Sequence, residues 1–245
     1  MTNIHQIHAL ADDCLYDFGQ RVKLLLPDEA CLGVGADLSV TTLLHAYRCG
    51  VFPWFHDGPI AWWSPNPRCV LTPSEFVPKK SLVRKARQST WTLTTNHTFT
   101  DVIQACSEPR AYADATWIGH EMIQAYTKLH ELGVAVSVEI WQDEPMASAL
   151  IGGLYGLNIG AMFCGESMFH RATDSSKVAF WGLMQLCQRQ GVALVDCQLE
   201  NAHLMSLGAR LMHRDEFLVE VNALMQTDVA GLGDWQFVMA VRQLC

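Results

Sequence analysis

Asp196 and Gln198 stand one residue apart at the end of the apolar run Val192-Ala193-Leu194-Val195. In a strand, alternate side chains share a face, so this spacing aims a carboxylate and a carboxamide the same way and turns Cys197 to the other side. Such a pair can accept and donate hydrogen bonds on that face. The same residues can equally be a loop cap and a polar strand end. Glu166 follows Gly165 inside a second apolar stretch bounded by Phe163 and Phe169. A carboxylate placed there needs partners, either a substrate group or a structural ion pair with Arg171 or Lys177. Cys197 with His203 is a formal thiol nucleophile pair, but a cysteine turned away from Asp196 and Gln198 reads as a buried one. The ten histidines include no His-x-x-x-His pair with a neighbouring acid on one helix, so no metal site is expected.

These side chains need a frame, and the chain alternates its periodicity to supply one. Up to about Arg68 it reads as irregular and rich in turns, apart from a short helix capped by Ser39, carrying Leu43, Leu44, Ala46 and Tyr47 on an apolar face and ended by Gly50. Aromatic residues crowd beside prolines in Phe52-Pro53-Trp54-Phe55 and Trp62-Trp63-Ser64-Pro65-Asn66-Pro67-Arg68, either as a small core or as a platform for a ring. Beyond it, strands are expected at Val70-Leu71 and Trp91–Thr95, and helices at Ser81–Gln88, Thr100–Cys106 and Glu121–Leu132. Val134, Val136, Val138 and Ile140 alternate with their neighbours as in a half-buried strand, Asp143-Glu144-Pro145 breaks it, and Ala149–Leu157 and Ile159–Met168 continue an antiparallel meander joined near Asn158. A helix from Asp174 or Ser175 to Gly191 then leads to the strand Val192–Gln198 and a short helix, Asn201–Leu207, and the tail gives only weak signals. The expected fold class is therefore mixed α/β: a small irregular N-terminal domain over 1–68 and, over 69–245, a domain with an antiparallel start whose element order matches the N-acetyltransferases. The loop after Met168 has no glycine to bring backbone close to a pyrophosphate, so coenzyme A is not the expected donor.

Half of the 245 residues are hydrophobic, enough for a sizeable core. The nine cysteines are odd in number, scattered and without a Cys-x-x-Cys, which argues for a reducing compartment. The opening residues lack a basic segment followed by a long apolar one, and no stretch is apolar for the length of a bilayer, so a cytoplasmic location and no membrane partner are expected. A net charge of −8 excludes a protein that grips a long duplex by its phosphates. One segment runs against that balance: Lys79, Lys80, Arg84, Lys85 and Arg87 fall within nine residues with no acid among them, as a solvated helix face or a phosphate-contact patch.

Several strings taken together resemble the leucyl/phenylalanyl-tRNA–protein transferases. They are the two aromatic strings above, Thr116-Trp117-Ile118, Leu129-His130-Glu131-Leu132-Gly133, Gly152-Gly153-Leu154-Tyr155-Gly156, Phe163-Cys164-Gly165-Glu166-Ser167-Met168-Phe169, Ser176-Lys177 and Asp196-Cys197-Gln198, in the family's order from about Leu32 to Phe217. Ala36 departs from the family, standing where a second glycine is usual. The resemblance implies transfer of Leu or Phe, and Met less well, from aminoacyl-tRNA to proteins beginning with Arg or Lys, in N-end-rule degradation, with no cofactor, ATP or metal. It implies that Asp196 polarises the Gln198 amide, whose oxygen accepts a hydrogen bond from the incoming amine, and that Glu166 meets a substrate. By motif position it makes Leu154, Met168, Phe180 and Leu183 the apolar pocket for the transferred side chain. With such a donor, Trp54 and Trp117 are candidates to hold the terminal adenine and the aminoacyl end by stacking, and Lys79, Lys80, Arg84, Lys85 and Arg87 to touch the tRNA acceptor stem. The competing expectations are an acetyl-CoA-dependent acetyltransferase, a peptidoglycan-bridge transferase, and a binding module that never turns over.

Overall fold

Ile4, Ile7 and Ala11 recur on one side of the first ten or so residues and are buried, which makes α1 (Ile4–Asp12) a helix where irregular chain was expected. A computed structural model describes residues 4–56, 58–109, 117–227 and 235–245, so Thr116 of the Thr-Trp-Ile string lies outside the described residues. Asp17 caps α2 (Phe18–Lys23), its side chain accepting from Gln20 N–H at 2.9 Å. Ser39 caps α3 (Val40–Arg48) as expected. Between and after these helices, β1 (Cys31–Val34), β2 (Phe52–Pro53) and β3 (Ala61–Trp63) form an antiparallel sheet in the order β1-β3-β2. The N-terminal part is thus regular structure with its own small sheet. Ala36, at the family's glycine position, holds φ +60°, the left-handed region that costs a Cβ about 1–2 kcal/mol.

The remainder builds one large sheet from β4 (Arg68–Leu71), β5 (Thr92–Thr95), β6 (Ala135–Trp141), β7 (Leu150–Ile159), β8 (Met162–His170), β9 (Leu194–Gln198), β10 (Arg210–Met212) and β11 (Val238–Ala240). Its order is β10-β4-β9-β8-β7-β6-β5-β11. Every neighbouring pair is antiparallel except β8 and β9, which run parallel and so need a crossover. The mixed α/β class, the antiparallel start and the order expected of the acetyltransferase-like fold are all present. Helices α4 (Lys80–Gln88), α5 (Phe99–Ser107), α6 (His120–Glu131), α7 (Ser175–Gln190), α8 (Ala202–Ser206) and α9 (Arg214–Leu224), with short 3-10 turns at Pro73–Glu75 and Val241–Leu244, complete the described elements. The turn between β7 and β8 falls at Gly160 rather than at Asn158, because Gly160 takes φ +57° and a Cβ there would lie 2.5 Å from the Leu224 carbonyl oxygen.

Helices cover both faces of this sheet. Tyr155 and Leu157 share one core with Val102 and Ile103 of α5, Met122, Tyr126 and Leu129 of α6, and Leu43 and Tyr47 of α3. Val136, Val138 and Ile140 share the other with Val178, Leu183 and Leu186 of α7. All seven residues of β6 are consequently buried, not half of them as its alternation suggests. Its Glu139 is wholly enclosed, and the Thr94 hydroxyl donates to it at 2.6 Å. Among the described residues, no helix is long and apolar enough to cross a membrane.

Candidate active site

The site exists because β8 and β9 stop pairing. Their parallel register runs Met162↔Leu194, Phe163↔Val195, Cys164↔Asp196 and ends there, while β8 stays with β7 as far as His170 and β9 stays with β4 as far as Gln198. Each strand follows its outer neighbour, so backbone groups beyond Cys164 and Asp196 face a gap. Both strands also carry a bulge at this point. Tyr155 pairs with Ser167 and Gly156 with Gly165, leaving Glu166 as the extra residue; Cys69 pairs with Gln198 and Val70 with Asp196, leaving Cys197 extra. Gly156 tolerates the first bulge because it has no side chain: a Cβ there would lie 2.3 Å from the Cys164 carbonyl oxygen.

The gap opens into a cleft of about 1110 Å³. Glu166 and Gln198 line it, as do Trp54, Trp117, Leu154, Met168, Phe180 and Leu183. Phe180 and Leu183, on the helix that makes the crossover, are brought to the cleft by the same connection that splays the strands. Trp54 is 41% exposed, and its carbonyl accepts from the Trp63 indole N–H at 2.6 Å, which fixes the backbone from which its ring projects. The five basic residues are exposed along α4 and at its start, and none lines the cleft; among the described residues none has a carboxylate within ion-pair reach. The Lys85 ammonium sits 4.8 Å over the Trp91 ring.

The alternation expected of Asp196, Cys197 and Gln198 does not hold. Cys197 lines the cleft, Asp196 is buried beneath it with 1% exposure, and Gln198 adopts φ +62°. The bulge at Cys197 adds half a period, which is enough to exchange the faces. Asp196 is held by Arg68, whose Nε and Nη2 donate to its two carboxylate oxygens at 2.8 and 2.7 Å, a buried bidentate pair. The guanidinium lies between the rings of Phe52, at 4.8 Å, and Phe217, at 4.4 Å, and its Nη1 donates to the Gly50 carbonyl at 3.2 Å. Asp196 therefore reaches Gln198 through the backbone: the Gln198 N–H donates to Oδ1 at 2.9 Å. The direct contact of carboxylate with side-chain amide is not made. The effect on geometry is nonetheless specific, since this bond pins Gln198 in its left-handed conformation.

The Gln198 amide turns instead to Glu166, donating from Nε2 to Oε1 at 2.9 Å. Neither ion pair considered for Glu166 forms: Arg171 bonds Glu108 at 2.6 Å and Lys177 bonds Asp174 at 2.7 Å. Its partners are two phenols. The Tyr47 hydroxyl donates to Oε1 at 2.6 Å, the Tyr126 oxygen lies 3.0 Å from Oε2, and the two phenol oxygens are 2.5 Å apart. Burial pushes the Glu166 carboxyl up to about 8 despite the phenols that favour its charged form, and burial beside Glu166 holds both phenols well above their ordinary range. The Cys197 thiol is also raised well above its usual range, by its hydrogen bond with Cys69 and by burial, so it is no thiolate nucleophile. Arg68, Tyr47 and Tyr126 were not singled out as site residues from the sequence. The tyrosines carried a signal, a hydroxyl on each of two otherwise apolar helix faces that must find a partner. Arg68 carried none beyond its place at the end of the aromatic string.

The sequence profile of the leucyl/phenylalanyl-tRNA protein transferase family matches residues 70–222, and that of its N-terminal domain matches residues 36–66. The chain is 49% identical over 223 residues to a leucyl/phenylalanyl-tRNA–protein transferase of Psychrobacter cryohalolentis, covering 86% of this chain and 80% of that one. It is 51% identical over 200 residues to that of Shewanella halifaxensis (81% and 83%) and 49% identical over 203 residues to that of Pseudomonas aeruginosa (82% and 88%). A solved structure, L-PGS from Bacillus licheniformis, superposes over 64% of this chain and 50% of that one, with 10% identity and a TM-score of 0.40. On the extent of these sequence matches, the chain belongs to the leucyl/phenylalanyl-tRNA–protein transferase family of aminoacyltransferases.

Proposed function

We propose that this protein transfers Leu or Phe, and Met less well, from aminoacyl-tRNA to the α-amino group of proteins that begin with Arg or Lys, marking them for degradation in the cytoplasm. The observation that carries the reading is the conjunction, in one cleft, of an apolar wall (Leu154, Met168, Phe180, Leu183), two indoles (Trp54, Trp117) and a hydrogen-bonded polar pair (Glu166, Gln198). The wall suits a branched or aromatic side chain, and its methionine is deformable enough for both. The indoles suit a terminal base by stacking, a contact worth about 1–3 kcal/mol per base and indifferent to the acidic net charge.

The reaction is aminolysis of an ester that is already activated, so it needs orientation, one proton transfer and an electrophilic carbonyl held in place. With its Nε2 engaged by Glu166, Gln198 presents its amide oxygen to the attacking amine and orients it. Asp196 acts through the backbone, fixing where Gln198 stands. The basic row on α4 supports the acceptor stem, and the domain boundary near residue 68 separates the lobe carrying Trp54 from the sheet carrying the reacting groups.

The test mixes purified protein with radiolabelled Leu-tRNA and a model protein beginning with Arg, without ATP, and follows label into protein. Transfer is expected, unaffected by coenzyme A, and Gln198→Ala is expected to lower kcat by about 100-fold, as misorientation by an ångström does. Absence of transfer from Leu-, Phe- and Met-tRNA by folded protein overturns the reading.

A further inference from the structure

Three oxygen-to-oxygen contacts close a triangle behind the cleft: Tyr47 to Tyr126 at 2.5 Å, Tyr47 to Glu166 Oε1 at 2.6 Å, and Tyr126 to Glu166 Oε2 at 3.0 Å. Each approach of this length needs one proton between its oxygens. The two phenols supply two. With an ionised carboxylate two protons serve three contacts, and one approach of oxygen on oxygen is left without a proton. With a neutral carboxylic acid the count closes: Glu166 Oε2–H donates to Tyr126, Tyr126 to Tyr47, and Tyr47 to Oε1. Oε1 also accepts from Gln198 Nε2 at 2.9 Å, so the ring touches the cleft through the residue that orients the amine.

We propose that Glu166, carried as a neutral carboxylic acid in a closed hydrogen-bonded ring with Tyr47 and Tyr126, is the proton-transfer group of the aminoacyl transfer. The inference rests on the reaction proposed above. All three protons of the ring can reverse their sense together, which moves the acid proton from Oε2 to Oε1, on the Gln198 side. From there it passes to the ribose oxygen as the acyl C–O bond breaks. The carboxylate so formed takes the proton of the nitrogen whose bond to the acyl carbon has just formed. One bond forms, one breaks, and Glu166 ends neutral as it began. A carboxyl whose proton affinity lies near that of an α-amine, itself about 8, suits this exchange.

The charged and titratable groups facing Glu166 come from five elements: Tyr47 on α3, Tyr126 on α6, Asp196 on β9, Arg68 on β4 and Cys164 on β8. Asp196 and Arg68 act on Glu166 with opposite signs and are paired with each other, and the Cys164 thiol is itself raised by burial. The neutral state is therefore set chiefly by burial, which outweighs the phenol hydrogen bonds that favour the charged form.

The direct test is the infrared carbonyl band of a protonated carboxylic acid in the full-length protein, assigned by subtraction of Glu166→Gln. The band is expected at neutral pH, lost as pH passes through about 8, and displaced in Tyr47→Phe and Tyr126→Phe, which keep the carboxyl and the fold. In the transfer assay, Tyr126→Phe and Glu166→Gln are expected to lower kcat by about 100-fold with the KM for both substrates unchanged. Absence of the band overturns the protonated ring. Wild-type kcat in Glu166→Gln, or a loss confined to the KM of acceptors with Arg or Lys, overturns the proton-transfer role and makes Glu166 a reader of the acceptor side chain. A band with no transfer from any aminoacyl-tRNA means that the proposed reaction itself has failed, and the catalytic role with it, while the ring stands.

Discussion

Glu166 and Asp196 are both carboxyl groups at the mouth of one parallel strand pair, and their surroundings set them opposite tasks. Asp196 has a guanidinium on both oxygens, so its charge is compensated where it is buried. Glu166 has phenols and an amide, which offer hydrogen bonds without a formal charge. The difference has consequences for stability. Because the Glu166 carboxyl lies at about 8 in the folded chain and near 4.5 in the unfolded one, the folded state binds its proton more tightly, and the stability this contributes is complete below about 4.5 and lost as pH rises through 8. Glu166→Gln removes that titration and should raise Tm relative to wild type at pH 9 while changing it little at pH 5; parallel Tm–pH curves for the two proteins would contradict this. Arg68→Met leaves Asp196 buried without its cation and should cost about 3–5 kcal/mol in denaturant unfolding. Asp196→Ala strands Arg68 in the same way. A loss of transfer in that variant bears on chemistry only if the unfolding midpoint is measured beside it, whereas Gln198→Ala should leave the midpoint nearly unchanged.

At the scale of elements, the parallel pair β8–β9 and its crossover helix α7 do most of the positioning. Strands that separate after three register pairs expose a gap, and the helix that joins them lays Phe180 and Leu183 along it. Phe180 is 3% exposed and meets Phe76 edge-on at 5.9 Å, so it serves both the core and the cleft wall. Phe180→Leu keeps most of the volume and should cost less than about 1.5 kcal/mol of stability. It enlarges the end of the proposed pocket, and the ratio of Phe to Leu transferred in competition should rise several-fold, within the roughly 1–3 kcal/mol that such a wall discriminates. An unchanged ratio would remove Phe180 from donor selection. Close packing constrains the helix: a Cβ at Gly182 would fall 2.1 Å from Leu93 Cδ1, so α7 cannot move closer to the sheet to fill space left by a smaller side chain.

For the whole molecule the governing fact is a net charge of −8 together with a row of five exposed cations on and beside α4. General attraction to nucleic acid is absent, so tRNA binding, as proposed here, divides between stacking in the cleft, which salt barely touches, and a few ionic bonds to phosphates at α4, which salt screens. Replacing Arg84 and Arg87 by Ala should weaken aminoacyl-tRNA binding at low salt and flatten the dependence of log Kd on log salt by about one unit for each phosphate no longer neutralised. Trp54→Ala should weaken binding at all salt concentrations and leave that slope unchanged. Equal slopes for the Arg pair variant and wild type would return α4 to the role of a solvated face.

Periodicity determines much of this architecture: the helix capped by Ser39, the helix ended by Gly191, the antiparallel meander and the strand ending in Asp196 and Gln198 follow from local preferences and apolar spacing, which the chain carries residue by residue. The strings shared with the transferase family named the residues of the cleft wall for the same reason, since they are read in order along the chain. What the sequence left open was decided by long-range contacts. Two bulges, at Glu166 and Cys197, arise where neighbouring strands pair with unequal residue counts, and the one at Cys197 brings Cys197 to the cleft while Asp196 lies buried beneath it. Arg68 meets Asp196 across 128 residues, and Tyr47 meets Glu166 across 119. An arginine, two tyrosines and two acids carry no mark in sequence of which will pair with which. The choice rests on burial, which makes an unpartnered charge too costly, and burial is a property of the folded chain.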